Sequence, residues 1–277
     1  MSDPVRTVTA VDSHAHVFTR GLPLAPGRRY APDYDAPLAV YLALLDENAV
    51  SHAVLVQPSF LGTDNSFLLA ALAAHPDRLR GVAVVEPDIS DAELQLLADQ
   101  GVCGIRLNLL GVPIPDLRSG AWPHLLERVR ALDLHVELHL GMDEIERAGQ
   151  PVLDAGCKLV IDHFGRPQGA CDAGRQWLMN AAKIPRTWVK LSAAYRNWSS
   201  PHDKRAVAAA HRLVDAFGPE RLVWGSDWPH TQHRDVADYS QCLAALANWI
   251  PDAATRQTIL ADSPRLLFNF PAGDSHD

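Results

Sequence analysis

Eight short apolar runs, each followed by a segment of helical periodicity, constrain the fold of this chain more than any other feature. Their starts lie about 20 to 45 residues apart, the length of one strand, one helix and two connections. Alternation of this kind predicts parallel strands joined by helical crossovers. The predicted strands are Thr9–His16, His52–Pro58, Leu79–Glu86, Val102–Leu109, Leu134–Leu140, Lys158–Gly165, Thr187–Ala193 and Leu222–Trp228.

Two architectures use this pattern, a closed (β/α)8 barrel and an open doubly wound sheet. No GxGxxG motif follows the first strand, and neither a composition shift nor a long linker marks a domain boundary. A single α/β barrel commonly fills about 250 residues, close to the 277 residues of this chain. We therefore predict an α/β fold with one (β/α)8 TIM-barrel domain over residues 1–277.

Helix boundaries are predicted from their capping residues. Asp35 stands before a proline and a periodic apolar segment, and is a predicted N-cap. Ser90 and Glu93 have the spacing of a capping box ahead of the third helix. The tail from Asp252 to Phe268 is predicted to form one or two short closing helices.

The composition of the chain limits the classes of binding partner and the cellular location that we expect. The 33 acidic residues outnumber 25 basic ones, and the formal net charge of −8 disfavours nucleic acid and anionic membranes as partners. Four cysteines lack CxxC spacing, and no apolar run approaches the roughly 20 residues of a membrane span. Residues 1–6 lack the apolar segment of a signal peptide. We expect a cytoplasmic protein, and leave open whether it is a homo-oligomer.

Metal-binding or proton-transferring side chains stand at the ends of four predicted strands. Barrel chemistry sits at the carboxyl ends of strands, and residues two apart in a strand face the same side. His14 and His16 are therefore predicted to point together into the barrel mouth, as a divalent metal or a polarised carbonyl would require. One such histidine alone could be an ordinary hydrogen-bonded residue, but convergence on one face favours a site. The other strand ends supply His139, His163, Asp227 and His230.

Arginines form a second set near the same end of the barrel. Arg106 lies inside a predicted buried strand, where a charge is costly without a partner. A guanidinium matches a carboxylate in bidentate geometry, so several at one mouth predict a small anionic substrate. Arg28 and Arg29 could instead pair with surface acids. The remaining candidates for substrate contacts are Arg166, Arg196, Tyr30 and Ser59.

Together these residues resemble the amidohydrolase superfamily, in its 2-pyrone-4,6-dicarboxylate lactonase-like branch. The resemblance runs from Val11 to about Phe268. It implies a (β/α)8 barrel and metal-independent hydrolysis of a lactone that bears carboxylates. The segments that carry it are Asp12–Phe18, Arg29–Pro32, Leu55–Gln57, Gly62–Asn65, Gly104–Asn108, Asp162–Pro167 and Trp224–His230.

The resemblance also implies roles for individual residues. Asp227 would accept a proton from the attacking water, with His163 as the next candidate for acid–base work. His14, His16 and His163 would polarise the ester carbonyl. A carboxylate can act as base towards water, and cationic donors stabilise an oxyanion. The predicted substrate-binding set is Arg106, Arg166, Arg196, Tyr30, Ser59, His139 and His230.

The sequence departs from the lactonase pattern at two places. His139 stands where a tyrosine is expected, and residues 110–112 replace a stretch where a further arginine is expected. The second departure puts a substrate with two carboxylates in the same geometry in doubt. No lysine ends the fourth strand, which disfavours a two-metal site. The first departure completes a candidate set for one zinc or manganese ion, formed by His14, His16, His139 and Asp227.

Three functions follow from these observations. The preferred one is a lactonase, which works either with or without a metal. The second is a metal-dependent decarboxylase of an aromatic or muconate-type acid, with His139 as a ligand. The third is a barrel that binds an anionic metabolite without catalysis. A binder has no need for an aspartate that faces carboxylates, and this disfavours the third function.

Overall fold

The structure is a computed structural model, which describes residues 6–169 and 171–271. Eight parallel strands pair in chain order, each with the next. The predicted (β/α)8 barrel is confirmed. The strands are β1 (Val11–Ala15), β2 (His52–Val56), β3 (Leu79–Ala83), β4 (Val102–Asn108), β5 (His135–His139), β6 (Lys158–Ile161), β7 (Thr187–Ser192) and β8 (Leu222–Gly225).

Helices follow the strands and cover the outside of the barrel. A π-helical turn, Thr258–Asp262, connects the last two of them, and the predicted helical tail is thereby confirmed. The α-helices are α1 (Leu38–Glu47), α2 (Ser66–Ala74), α3 (Asp91–Asp99), α4 (Trp122–Ala131), α5 (Ile145–Asp154), α6 (Asp172–Ala181), α7 (Ala194–Asn197), α8 (Lys204–Phe217), α9 (Tyr239–Trp249), α10 (Ala253–Gln257) and α11 (Ser263–Leu267).

The two capping predictions have different outcomes. Ser90 and Glu93 form the predicted capping box at the start of α3. The prediction for Asp35 is wrong, because α1 begins after Pro37 without a side-chain cap. The Asp35 carboxylate instead accepts a hydrogen bond from the backbone N–H of Arg20 at 2.8 Å, in the long connection after β1. None of the helices in the described ranges is long and apolar enough to cross a membrane. The sequence analysis predicts no signal peptide in residues 1–6, and residues 1–5 lie outside the described ranges.

The barrel closes between β1 and β8 at a short seam. The backbone N–H of His16 donates to the Trp228 carbonyl oxygen, and that of Asp227 donates to the His14 carbonyl oxygen, both at 2.8 Å. The Asp12 carboxylate reinforces the seam, because it accepts hydrogen bonds from the backbone N–H and hydroxyl of Ser226 at 2.8 and 2.6 Å. The seam therefore places the end of β1 beside the end of β8.

Side chains fill the barrel interior in layers. In β5, His135, Glu137 and His139 alternate with apolar residues and are all buried. His135 lies opposite Gly104 of β4, where any side chain would collide with its ring. Glu137 occupies the middle layer, and His139 reaches the carboxyl end. Charged groups in the middle layer therefore lie directly beneath the barrel mouth, where the site is expected.

The observed strands are shorter than the predicted ones, chiefly at their carboxyl ends. The sixth predicted strand extends to Gly165, whereas β6 ends at Ile161 and is followed by a tight turn at His163–Gly165. The eighth extends to Trp228, whereas β8 ends at Gly225. In both cases the chain leaves the sheet where the candidate site residues begin, because these residues adopt left-handed backbone conformations.

Candidate active site

A cavity of about 250 Å³ opens at the carboxyl end of the barrel. Its walls come from the ends of β1, β2, β4 and β5 and from the segments after β6, β7 and β8. The position is the one at which barrel enzymes carry their chemistry. The lining residues are His16, Arg29, Tyr30, Pro58, Ser59, Phe60, Arg106, Asn108, Leu110, His139, His163, Arg196, Asp227, Thr231 and Gln232.

His14, His16 and Asp227 form a compact group across the β1–β8 seam. His14 Nε2 lies 3.3 Å from His16 Nε2, and Asp227 Oδ1 lies 3.8 and 3.6 Å from these two nitrogens. His16 Nδ1 donates to the Val56 carbonyl oxygen at 2.7 Å, which leaves its Nε2 as an acceptor. Gly225 makes room for His14, because a Cβ there would lie 2.7 Å from the His14 Cβ. The two rings lie on the same side of the strand, as predicted, but only His16 lines the cavity at the barrel mouth.

Left-handed backbone conformations cluster around the cavity. Residues other than glycine adopt positive φ rarely and at a cost, and such residues concentrate at functional sites. Here they occur in the segments after β6, β7 and β8, and three of them, His163, Asp227 and Gln232, line the cavity. The residues concerned are His163, Phe164, Arg166, Ala193, Asp227, His230 and Gln232.

Asp227 is held as an anion by two donors. Its Oδ2 atom accepts a hydrogen bond from the Tyr195 hydroxyl at 2.5 Å and another from Arg196 Nε at 2.6 Å. Burial alone would raise the pKa of Asp227, but the Arg196 guanidinium holds the pKa well below its usual range. Both strong donors act on Oδ2, so Oδ1 is the oxygen available to a water molecule in the cavity.

His139 and His163 provide neutral imidazoles on the opposite wall. Their ring centroids lie 5.0 Å apart. Burial is the main reason that the pKa of each lies well below the usual value, and nearby cations contribute. His163 Nδ1 makes a 2.8 Å hydrogen bond with Ser192 Oγ. Neither His139 nitrogen has a partner within the described residues, so a bound ligand is its most direct source of hydrogen bonds.

A buried layer of charges lies beneath the cavity. Arg106 donates to Asp162 Oδ2 from Nη2 at 2.8 Å, and its Nε lies 3.2 Å from Glu137 Oε1. Lys190, on β7, contacts Glu137 and lies 3.6 Å from Asp162 Oδ1. Its Nζ also lies 3.1 Å from His14 Nδ1. Two cations and two carboxylates thus compensate one another in the middle layer, as buried charges require.

Two guanidinium groups near the mouth have no carboxylate partner. No carboxylate oxygen of residues 6–169 or 171–271 lies within 4.0 Å of the nitrogens of Arg29 or Arg166. Arg29 donates to the Leu110 carbonyl and to Asn108 Oδ1, and Arg166 donates to the Arg196 carbonyl. Burial, with the nearby charge of Arg196, lowers the pKa of Arg166 to about 10, so it remains cationic at neutral pH.

Most of the predicted site residues line the cavity, but three do not. His14 is fully buried beneath it. Arg166 lies behind Arg196, outside the lining. His230 lines a neighbouring cavity of about 350 Å³, and its Nδ1 lies 3.1 Å from the Tyr195 hydroxyl. The lining residues from the predicted set are His16, Tyr30, Ser59, Arg106, His139, His163, Arg196 and Asp227.

The sequence analysis missed Glu137 and Lys190. Each lies between two apolar residues of a buried strand, the same signal that singled out Arg106. Applied to every predicted strand, the cost of burying an isolated charge would have identified all three positions. Thr231 was also missed, and it accepts hydrogen bonds from Arg196 through both its hydroxyl and its carbonyl oxygen.

The candidate metal donors approach the spacing that an ion requires, but a lysine lies against one of them. Zinc about 2.0–2.1 Å from three ligands in tetrahedral geometry requires ligand separations of roughly 3.3 Å. The donor atoms of His14, His16 and Asp227 approach this spacing. However, Lys190 Nζ lies 3.1 Å from His14 Nδ1, the nitrogen through which a ligating histidine normally donates its second N–H. Among the described residues, His139 belongs to none of the groups whose donor atoms lie close enough together to hold a metal ion.

The sequence profile of the amidohydrolase family matches residues 11–270. The chain belongs to the amidohydrolase family. The superfamily predicted from the sequence motifs is thereby confirmed.

Three relatives of this amidohydrolase extend over nearly the whole chain. This chain is 35% identical to 4-sulfomuconolactone hydrolase of Rhizobium radiobacter, in an alignment that covers 94% of this chain and 89% of the relative. Two solved structures carry the provisional name 2-pyrone-4,6-dicarboxylic acid hydrolase. That from Pseudomonas putida has 46% identity, a TM-score of 0.89 and coverage of 96% and 99% of the two chains. That from Acinetobacter baumannii contains citric acid and has 36% identity, a TM-score of 0.90 and coverage of 95% and 100%.

Proposed function

We propose that this amidohydrolase opens a small lactone that bears a carboxylate. One observation carries the proposal: the Asp227 carboxylate faces a cavity that is also lined by three histidines and by the guanidinium groups of Arg29, Arg106 and Arg196. This combination suits attack of water on an ester carbonyl beside an anionic substituent. The names of the relatives from Rhizobium radiobacter and Pseudomonas putida support lactone hydrolysis as the reaction.

The uncompensated cations support an anionic substrate. The chain as a whole carries a formal net charge of −8, so a positive mouth is a local feature. Arg29 lines the cavity and Arg166 lies behind its wall. A ligand carboxylate at Arg29 would supply the charge partner that residues 6–169 and 171–271 do not. Citric acid in the Acinetobacter baumannii structure supports a small multivalent anion as a suitable ligand.

The water is activated by Asp227 in this proposal. Oδ1 accepts one proton as the water oxygen bonds to the carbonyl carbon, while Tyr195 and Arg196 keep Oδ2 in place. Arg106 and His163 line the same cavity and donate to the developing oxyanion. The ring C–O bond then breaks, and the proton held by Asp227 passes to the leaving oxygen. The new carboxylic acid ionises, so each turnover releases one proton. No step passes through a metal.

Proton release from a panel of carboxylated lactones tests the reaction. The protein, treated with chelator, is expected to acidify a weakly buffered solution with at least one member of the panel. The same samples are analysed for carbon dioxide. Release of carbon dioxide without ring opening would contradict the lactonase proposal and support a decarboxylase instead. If no lactone of the panel causes proton release, before or after zinc and manganese are restored, lactone hydrolysis is excluded as the reaction.

Arg29 is expected to contribute chiefly to substrate binding. In Arg29→Gln, KM should rise about 10- to 100-fold while kcat changes little, because a charge-assisted hydrogen bond contributes about 1.5–3 kcal/mol. Steady-state kinetics on the lactone identified above measures both constants. The matched control is Arg28→Gln, since Arg28 donates to the Ala25 carbonyl and does not line the cavity. Equal effects of the two substitutions would rule out a specific carboxylate contact at Arg29.

A further inference from the structure

We propose that Lys190 holds the ring proton of His14 on Nε2 and thereby keeps the His14–His16–Asp227 group free of a resident metal ion. Lys190 would then be a positioning residue, because it lies beneath the cavity and touches no substrate. The proposal concerns a buried lysine for which the proposed hydrolysis requires no direct role.

Lys190 is fixed in one position by its surroundings. It is fully buried on β7 and belongs to the middle layer of the barrel. Its ammonium contacts Glu137 Oε2, lies 3.1 Å from His14 Nδ1 and lies 3.6 Å from Asp162 Oδ1. An ammonium group has three N–H donors and no acceptor. His14 Nδ1 must therefore be an acceptor.

Hydrogen-bond roles can then be assigned along the whole chain of contacts. Lys190 donates to His14 Nδ1, which leaves the single ring proton of a neutral His14 on Nε2. At the other end, His16 Nδ1 donates to the Val56 carbonyl oxygen, so His16 Nε2 is an acceptor. The 3.3 Å contact between the two Nε2 atoms needs one proton, and His14 supplies it. Each contact in this chain thus has one donor and one acceptor.

The opposite proton placement conflicts with this geometry. A proton on His14 Nδ1 would point towards the neighbouring ammonium, whereas the carboxylate oxygens of Asp162 and Glu137 lie further away, at 3.4 and 3.5 Å. Both distances exceed the roughly 2.7–3.2 Å of a usual N–H···O hydrogen bond, and the contact of Nδ1 with Lys190 is shorter, at 3.1 Å. A ligating histidine normally donates its second N–H to a carboxylate or carbonyl. Lys190 occupies that place at His14.

Replacement of Lys190 is therefore expected to create metal affinity. In Lys190→Met, His14 Nδ1 is free to carry the proton and donate to Asp162 or Glu137, so Nε2 becomes a ligand. The bound cation would also replace the lost charge beside these carboxylates. We expect zinc and manganese to bind about 10- to 100-fold more tightly than to the wild type, the usual effect of a group behind the ligands. Titration calorimetry with each metal salt measures the change.

The matched control is Lys158→Met, since Lys158 lies at the opposite end of the barrel and pairs with Asp133 at 2.8 Å. Its metal affinity should equal that of the wild type. Unchanged or weaker binding in Lys190→Met would overturn the proposal, as would a wild-type chain that retains one metal ion after dialysis against chelator and metal-free buffer.

A spectroscopic readout applies even if Lys190→Met does not fold. Long-range ¹H–¹⁵N spectra of the wild type distinguish the two neutral histidine tautomers, and comparison with His14→Gln assigns the His14 signals. We expect the Nε2–H tautomer, and a proton on Nδ1 would overturn the proposal. Neither the spectra nor the metal titrations require turnover. A failure of lactone hydrolysis would leave them unchanged and would count only against the proposed function.

Discussion

Replacing Asp227 by asparagine is expected to lower kcat about 10³-fold, within the roughly 10²–10⁴-fold contribution of a general base. Asparagine preserves the shape of the side chain and can accept the hydrogen bonds from Tyr195 and Arg196 through its amide oxygen. It has no basic oxygen to take a proton from water. KM should change much less than kcat, because the carboxylate of the substrate contacts other residues. Single-turnover kinetics measures the chemical step directly.

A surface substitution of the same type is the control for this prediction. Asp172→Asn removes a carboxylate whose side chain is 92% exposed at the start of α6, and should leave kcat unchanged. Circular dichroism and thermal unfolding report the folded fraction of Asp227→Asn, to which its activity is normalised. A near-native kcat in the folded variant would exclude Asp227 as the base and direct attention to His163.

Stability is expected to rise steeply as pH increases from about 4 to 6.5. Burial, together with nearby cations, lowers the pKa values of His14, His52 and His230 from 6.5 to about 4 in the folded protein. Within this window the unfolded chain holds protons on these three residues and the folded chain does not. Unfolding therefore takes up protons, and acid favours the unfolded state. The lowered pKa values of Asp162 and Asp227 have the same sign at lower pH.

Denaturant unfolding at a series of pH values tests this prediction. Near pH 5 the slope of the unfolding free energy should correspond to an uptake of about three protons or more. His52→Gln should lower that number by about one, because His52 lies against Phe270 at the bottom of the barrel, remote from the cavity. His124→Gln is the control, since its side chain is 62% exposed on α4. A pH-independent stability between 4.5 and 6.5 would contradict the assignment of neutral buried histidines.

The barrel could be predicted from the sequence because each strand and each helix leaves its own pattern of apolar residues within a short segment. A parallel strand buried on both faces reads as an apolar run, and a crossover helix reads as an amphipathic segment of fixed length. Eight such pairs leave few topologies. Strand ends were less predictable, since the turn at Asp162–Arg166 depends on left-handed backbone conformations that the residue types there do not signal. Gly165 alone among them is a residue that favours positive φ.

The site was predictable as a set of residues but not as a network. Side-chain alternation was enough to place His14 and His16 on one face. The partners of each group depend on contacts between distant strands, such as Lys190 of β7 with His14 of β1. These contacts follow from barrel closure and strand register, and residue spacing within one segment carries no information on them. The assignment of His230 to the substrate set illustrates this point, because its ring lies behind Tyr195, in another cavity.

The short seam between β1 and β8 has a consequence for heat inactivation. His14 and Asp227 lie on opposite sides of the seam, which depends on two backbone hydrogen bonds and the Asp12 carboxylate. Local opening there would separate the two residues while the other strand pairs remain intact. The lifetime of the enzyme on warming would then be set by the opening of this strand pair. Warmed samples would lose turnover while their circular dichroism still reported a folded barrel.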